Sequence, residues 1–287
     1  MQRSIDLTGA IDLHVHTAPD VYDRRVTDDE QIEQALTTGM RAVLLKSHHT
    51  LTADRATLAA QRHGLPVFGG LALNHTVGGF NPAAVETAIA FGARQIWMPT
   101  LHARHCLEYA SQAMFKAEAS KGRPGLTVRD VEGDLLLPVR QILEQIRDAD
   151  IALGTGHLAP EESLQLLRAA GEMGVRRMLV THPMMSFTRF TIPQMREAAE
   201  LGARLEFDYL SCSPHWHDAV PLADSAKAIR AIGPEHCVIA TDGGQPYNPP
   251  PVQMLHDFAD GLHGEGLSME EIRTMACDNP AWILDLG

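Results

Sequence analysis

The chain has 287 residues, 45% of them hydrophobic, which is ordinary for a globular protein and enough for a large core. Its formal net charge of −12 argues against a nucleic-acid partner, whose phosphates it would repel overall. No run approaches the 18 or so apolar residues of a membrane span. The opening MQRSIDLTGA lacks the apolar stretch of a secretory leader, and Cys106, Cys212, Cys237 and Cys277 show no paired spacing, so we expect reduced thiols in a cytoplasmic protein.

Strand-like and helix-like segments then alternate. AIDLHVH reads as a first strand, and TDDEQIEQALTTGM as a helix with Thr27 as N-cap, Glu30 at its third position and Gly39 as its stop. RAVLLKSHH is a second strand, TADRATLAAQRHG a helix, and LPVFGGLALNH a third strand. NPAAVETAIAFGA and RQIWMPT supply a helix and strand four. After an irregular stretch come PVRQILEQIRDAD as helix and IALGTGH as strand five. APEESLQLLRAAGEMGV precedes strand six, RRMLVTH; TIPQMREAAELGA precedes strand seven, RLEFDYLS; and DSAKAIRAIGPE precedes strand eight, HCVIATDGG. Continuous apolar runs such as AVLLK and CVIAT suit parallel strands covered on both faces.

Eight such units predict an α/β fold, a (β/α)8 TIM barrel forming one domain over residues 1–287. No G-x-G-x-x-G follows the first strand, which weakens a dinucleotide-binding alternative. Residues 101–137 break the rhythm. Their end, LTVRDVEGDLLL, reads as a hairpin around Glu132 and Gly133, inserted after strand four where barrels carry active-site loops. We expect a lid or an oligomer contact there.

Histidine is in excess, with 15 residues, and several end the apolar runs. Residues i and i+2 of a strand share a face, so His14 and His16 project together. Strand two ends in Lys46, Ser47, His48 and His49, strand three in Asn74 and His75, strand five in His157, strand six in His182 and strand eight in Asp242. Parallel barrel strands bring all of these to one mouth. Neutral imidazoles and carboxylates are suitable ligands for a first-row divalent cation, so one or two are expected, zinc first, with manganese or iron as alternatives.

That order, His-x-His on strand one, His on strands five and six and Asp on strand eight, resembles the amidohydrolase superfamily of metal-dependent hydrolases. The closing DNPAWILDL is similar to the Asn-Pro-Ala ending common in that group. The resemblance implies that His14, His16 and Asp242 hold one metal, and that His157 and His182 hold a second or flank the first. Such enzymes usually bridge two metals through a carboxylated Lys or a Glu after strand four. Here that strand ends at Thr100, with His102 and His105 beyond, and the nearest suitable lysine is Lys46 on strand two. Lys46 is expected to be desolvated, which favours a carbamate bridge or, alternatively, an ammonium that holds a substrate anion. A weaker resemblance to PHP-domain phosphoesterases rests on DLHVHT and the later KSHHT, with His48 as a ligand. It lacks that group's aspartate beside the histidine.

The expected reaction is hydrolysis of an amide, lactone or ester C–N or C–O bond in a small, anionic substrate. Asp242 is the expected proton acceptor, with His182 as a further acid–base group. A mononuclear decarboxylase or hydratase and a phosphoesterase are the alternatives. Tyr22, Arg24, Arg25, His48 and His75 are the expected substrate-binding residues, since arginine forks match carboxylate or phosphate. Phe187, Trp216 and their neighbours suggest aromatic walls. A homo-oligomer is compatible with the sequence.

Overall fold

The computed structural model describes residues 5–109, 113–119 and 121–287. Eight strands, β1 (Ile11–Val15), β2 (Ala42–Leu45), β3 (Val67–Ala72), β4 (Gln95–Trp97), β5 (Ala152–Gly154), β6 (Met178–Val180), β7 (Arg204–Asp208) and β8 (Cys237–Ala240), pair in parallel in chain order. The helices that follow them are α1 (Asp28–Thr37), α2 (Ala53–His63), α3 (Pro82–Ala90), α4 (Arg104–Tyr109), α5 (Ala113–Ala119), α6 (Leu137–Ala149), α7 (Pro160–Glu172), α8 (Ile192–Glu200), α9 (Leu222–Ile232) and α10 (Pro251–Gly264). Two short helices, α11 (Met269–Arg273) and α12 (Asn279–Ile283), close the chain. This is the eight-unit barrel that the alternation predicts.

Local chemistry sets the ends of these elements. Thr27 and Glu30 form a capping box on α1, each side chain accepting from the other's backbone N–H, and Thr191 and Gln194 do the same on α8. Gly39 follows α1 at φ +73°, a left-handed conformation that glycine adopts without a Cβ penalty. The strands are shorter than their apolar runs because the last residues of each run leave the ladder and turn into the loops.

One apolar core lies between sheet and helices, holding Val15, Leu45, Ile96, Val180 and Ile239. A second fills the barrel's N-terminal end with Ile11, Leu13, Leu44, Leu179 and Val238, plugged from below by Ala281, Ile283 and Leu284 around α12. Trp97 spans this interior. A Cβ added at Gly70 or at Gly154 would stand 2.6 Å from its ring, so both positions exclude any side chain. The tryptophan forms the floor under the mouth of the barrel.

The seam between β8 and β1 is thin: a parallel bridge joins Val15 to Gly243, and His16 N–H donates to Gly243 O at 2.8 Å. The β1–β2 register also slips between Asp12 and Val15, a bulge. Asp12 compensates at both defects. Its carboxylate accepts from His14 N–H at 3.1 Å and from Thr241 N–H and Oγ1 at 3.2 and 2.6 Å. The residues that begin and end the barrel are thereby fixed to one another at the level of the histidines.

Within the inserted stretch, α4 and α5 precede a tight turn in which Arg129 and Leu135 form an antiparallel bridge and Gly133 takes φ +91°. The predicted hairpin is there, reduced to its turn. Residues 110–112 and 120 of the stretch lie outside the described residues.

Candidate metal centre

The bulge in β1 turns His14 and His16 into the mouth together, and each meets Asp242 from the loop after β8. Both Nε2 atoms stand 3.1 Å from Asp242 Oδ1, and the other oxygen, Oδ2, lies 3.6 Å from His182 Nε2. The ligand atoms of His14, His16 and Asp242 all lie within 4.8 Å of one another, as do those of two further buried groups: His14, His182 and Glu206, and His182, Asp208 and Asp242. Lys46 Nζ completes the interior at 2.8 Å from His14 Nε2 and 5.2 Å from the Trp97 ring centre.

Two of these residues sit on unusual backbone. His182 has φ +54° and Asp242 φ +46°, left-handed conformations that non-glycine residues adopt at a cost of ~1 kcal/mol or more. Such strain persists where the surrounding structure holds it, and here it aims both side chains at His14.

Carboxylates orient the imidazoles from behind. His14 Nδ1 donates to Glu206 Oε1 at 2.8 Å, and His182 Nδ1 donates to Asp208 Oδ2 at 3.0 Å. An imidazole whose Nδ1–H is taken by a carboxylate is turned with its Nε2 edge forward, the orientation that metal-ligating histidines use. His157 Nδ1 instead meets the buried Cys106 thiol, 3.3 Å away. His48 Nδ1 meets Thr100 Oγ1 at 2.8 Å, and its ring stacks on His16 at 4.7 Å.

The charges reflect that crowding. Burial and Lys46 push the His14 imidazole down, but Asp242 and Glu206 overcome both and raise it to about 9. Burial, aided by Arg24, pushes His16 down to about 3. Burial likewise lowers the Lys46 ammonium to about 8. Asp242 is held well below the carboxylate range despite burial, because His14 and His182 face it, while burial raises Asp208. Glu206 is held low by His14 and His182 against the same burial.

The donor set fits a divalent cation. Among the described residues, His16 Nε2, His157 Nε2 and Glu206 Oε2 are buried side-chain atoms of this region with no hydrogen-bond partner. An unpaired buried polar atom costs about 1–3 kcal/mol, and a cation shared among nitrogen and carboxylate ligands removes that cost.

The sequence-predicted residues divide. His14, His16, Lys46, His182 and Asp242 come together, with His157 beside them, its ring centre 5.3 Å from that of His182. His48 joins them through His16. Arg24 reaches in from the first loop: its NH2 donates to His16 Nδ1 at 3.2 Å and to Asp20 Oδ2 at 2.8 Å. Tyr22 packs edge-on against His49 at 5.3 Å. Arg25 is exposed, with its backbone N–H on Gly244 O, and the described contacts of His75 are with Pro124 and His102.

The sequence analysis missed Glu206 and Asp208. In RLEFD they alternate with Leu205 and Phe207, and acidic residues at every second position of a strand buried on both faces were the available signal. Phe115 was missed too. From α5 it packs on His157 and Phe187, ring centres 6.1 and 5.0 Å apart, while Glu118 on the same helix binds His102 at 3.0 Å and reaches Tyr22 Oη at 3.5 Å.

The fold and the cluster define a (β/α)8 barrel with a buried histidine–carboxylate centre at the C-terminal ends of its strands. The chain belongs to a family of unknown function, DUF6282, whose model matches residues 9–206, a span that includes every predicted ligand except Asp242. No curated protein matches the chain. Solved structures share its fold at low identity. An amidohydrolase from Pseudomonas aeruginosa is 12% identical over 98% of this chain and 95% of its own, with a TM-score of 0.65. A lactonase from Listeria monocytogenes is 12% identical over 97% of this chain and 95% of its own, TM-score 0.63. A phosphotriesterase homology protein from Escherichia coli, with phosphate in its active site, is 16% identical over 97% of this chain and 99% of its own, TM-score 0.61.

Proposed function

We propose that this protein is a cation-dependent hydrolase of the amidohydrolase type, cleaving an amide, lactone or ester C–N or C–O bond of a small anionic substrate. The observation that carries this reading is the convergence of His14, His16 and Asp242 ligand atoms within 4.8 Å of one another in the interior of the barrel mouth. The likeness in fold to an amidohydrolase and a lactonase supports it.

His14, His16 and Asp242 would hold the first cation, with zinc the expected metal. His157 and His182 would hold a second or flank the first, and Lys46, as a carbamate, would be a further ligand. A divalent cation there supplies Lewis acidity and lowers the pKa of water from 15.7 towards about 7.

The chain's own groups do the rest. Asp242 faces His182 through Oδ2, so a proton taken from water at Asp242 passes to the leaving group or, where His182 flanks the first cation without holding a second, to His182 Nε2. Asp208, behind His182, stabilises the imidazolium that results. Tyr22, Arg24 and His48 border the substrate on one side, and α5 closes the mouth as a lid whose Phe115 stands over His157.

Metal analysis of protein purified without chelator, for the intact chain, His14→Ala and Asp242→Asn, tests this together with a panel of lactones, esters and amides. One or two cations per chain, lost in the variants, with hydrolysis of at least one panel member, is the expected result. Absence of bound metal after addition of zinc or manganese overturns the reading, and release of carbon dioxide from a carboxylated substrate replaces hydrolysis with decarboxylation.

A further inference from the structure

Arg24 and a cation at His16 make incompatible demands on the same imidazole. A guanidinium has five N–H donors and no acceptor. Its NH2 lies 3.2 Å from His16 Nδ1, so in this contact Nδ1 accepts, and the ring's proton is on Nε2. Nε2 is the atom that faces Asp242 Oδ1 at 3.1 Å, where a cation would have to be held. A protonated Nε2 cannot be a ligand.

Nor is that proton well placed. Nε2 is buried and has no aligned hydrogen bond, although the carboxylate is close. The arrangement with Arg24 on Nδ1 therefore leaves His16 unsatisfied on its inner edge. Moving the proton to Nδ1 frees Nε2 for a cation, but then Nδ1–H and the guanidinium N–H groups confront each other, and Arg24 must withdraw. Coulomb repulsion acts in the same direction, because a divalent cation at Nε2 adds positive charge one ring-width from the guanidinium.

Arg24 has a tether that permits this. Asp20 Oδ2 accepts from both its Nε, at 3.0 Å, and its NH2, at 2.8 Å, and the Tyr22 ring lies 6.0 Å from its guanidinium carbon. Only 4% of the Arg24 side chain is exposed, so a guanidinium that leaves His16 stays within the mouth, held through Nε, with its NH2 donors turned to whatever enters. The match for such a group is a carboxylate or another oxyanion.

From this geometry we infer that Arg24 is a cation-coupled receptor for the substrate's anionic group. Loading His16 with metal drives Arg24 off Nδ1, and the released guanidinium binds a carboxylate. Metal and anion binding thus reinforce each other, and the two effects are reciprocal. This rests on the assignment of His16 as a ligand in the proposed function, and it specifies the substrate class as one bearing an oxyanion beside the scissile bond.

The test uses the full-length protein stripped of metal and three variants, Arg24→Met, Arg24→Gln and His16→Ala. Nitrogen-15 NMR of the imidazoles reports which nitrogen of His16 bears the proton. The expected result is Nε2–H in metal-free wild type, identified by its loss in His16→Ala, and Nδ1–H after zinc is added. Zinc affinity, read by competition with a chromogenic chelator, is expected to rise about tenfold or more in Arg24→Met, which no longer has a donor to displace. Arg24→Gln, whose amide can turn an acceptor to Nδ1–H, gives the same rise if the methionine variant fails to fold. Millimolar acetate is expected to strengthen zinc binding in wild type and not in the Arg24 variants.

A proton already on Nδ1 in the metal-free protein, or zinc binding weakened by Arg24→Met, overturns the inference. So does an acetate effect of equal size in all the proteins that retain His16, which would mean acetate bound to zinc alone. None of these readouts needs turnover, so a protein that passes them and hydrolyses nothing would refute the proposed reaction and leave the coupling standing.

Discussion

His182 Nδ1 and Asp208 Oδ2 are 3.0 Å apart, each about 1% exposed, and the carboxylate comes from the strand next in order to the one the histidine follows. The pair fixes the imidazole with Nε2 towards Asp242 and supplies the negative charge an imidazolium there would need. Asp208→Asn keeps the shape and removes the charge. It is expected to lower kcat by roughly 10- to 100-fold, with a smaller effect on KM, because such outer partners tune the reacting group more than substrate binding. Steady-state kinetics on whichever panel substrate is cleaved checks this, and an unchanged kcat would remove Asp208 from the proton path.

Glu206 plays the corresponding part behind His14, 2.8 Å from Nδ1. Glu206→Gln is expected to weaken zinc binding by roughly 10- to 100-fold. Chelator competition measures it. The amide can rotate its own N–H towards Nδ1 and select the wrong tautomer, so a loss larger than that in Glu206→Ala would point to the tautomer and not the charge as the main factor.

In the proposed function, the number of cations depends on Lys46. Burial lowers its ammonium to about 8, so a useful fraction of amine is present near neutral pH and can take up carbon dioxide. Protein exchanged into labelled bicarbonate is expected to show one carbamate carbon by carbon-13 NMR after zinc loading, absent in Lys46→Met. Two zinc ions per wild-type chain and one in that variant are the matching metal contents. Two in both would show that Lys46 bridges nothing.

Asp20 couples the first loop to acid. Burial would raise its carboxyl, yet the neighbouring His49 and Arg24 outweigh it and hold Asp20 well below the usual carboxylate range. Its folded pKa lies below its unfolded one. Asp20 therefore adds stability above pH ~4, and that contribution is lost as pH falls through this value towards the folded pKa. Urea unfolding of wild type and Asp20→Asn is expected to show a stability gap at pH 7 that narrows between about pH 4 and pH 2. A constant gap would assign the effect to packing.

The four thiols are expected to be inert in the folded protein. Burial pushes Cys106, Cys212, Cys237 and Cys277 up, so little thiolate is present at pH 8, and the thiolate is the reactive form. A disulfide reagent should label all four rapidly in denaturant and scarcely any before unfolding. Fast labelling of one thiol in native protein would contradict its burial.

What the sequence conveyed divides along a physical line. Strand and helix order was legible because apolar runs and capping pairs such as Thr27 with Glu30 are local. His14, His16, His157, His182 and Asp242 were legible because each ends an apolar run, and parallel strands send such ends to one mouth. Glu206 and Asp208 were harder to see, since they lie inside a run. Their role depends on which face of β7 meets the interior, and RLEFD alone does not say. Arg25 and His75 had the right residue types in the right loops, but loop conformation turned Arg25 to solvent and His75 towards His102. Phe115 depends on how the inserted segment folds back, which no periodicity records.

The left-handed backbone at His182 and Asp242 has a consequence for how this protein would drift without selection. Glycine adopts that conformation freely, whereas histidine and aspartate do not. Loss of either side chain to glycine would relax the loop while emptying the centre, so the least strained version of this barrel is one without its histidine–carboxylate cluster. Laboratory evolution for thermostability alone, with no assay for metal binding, should therefore tend to erase positions 182 and 242, and their retention in any lineage is a record of use.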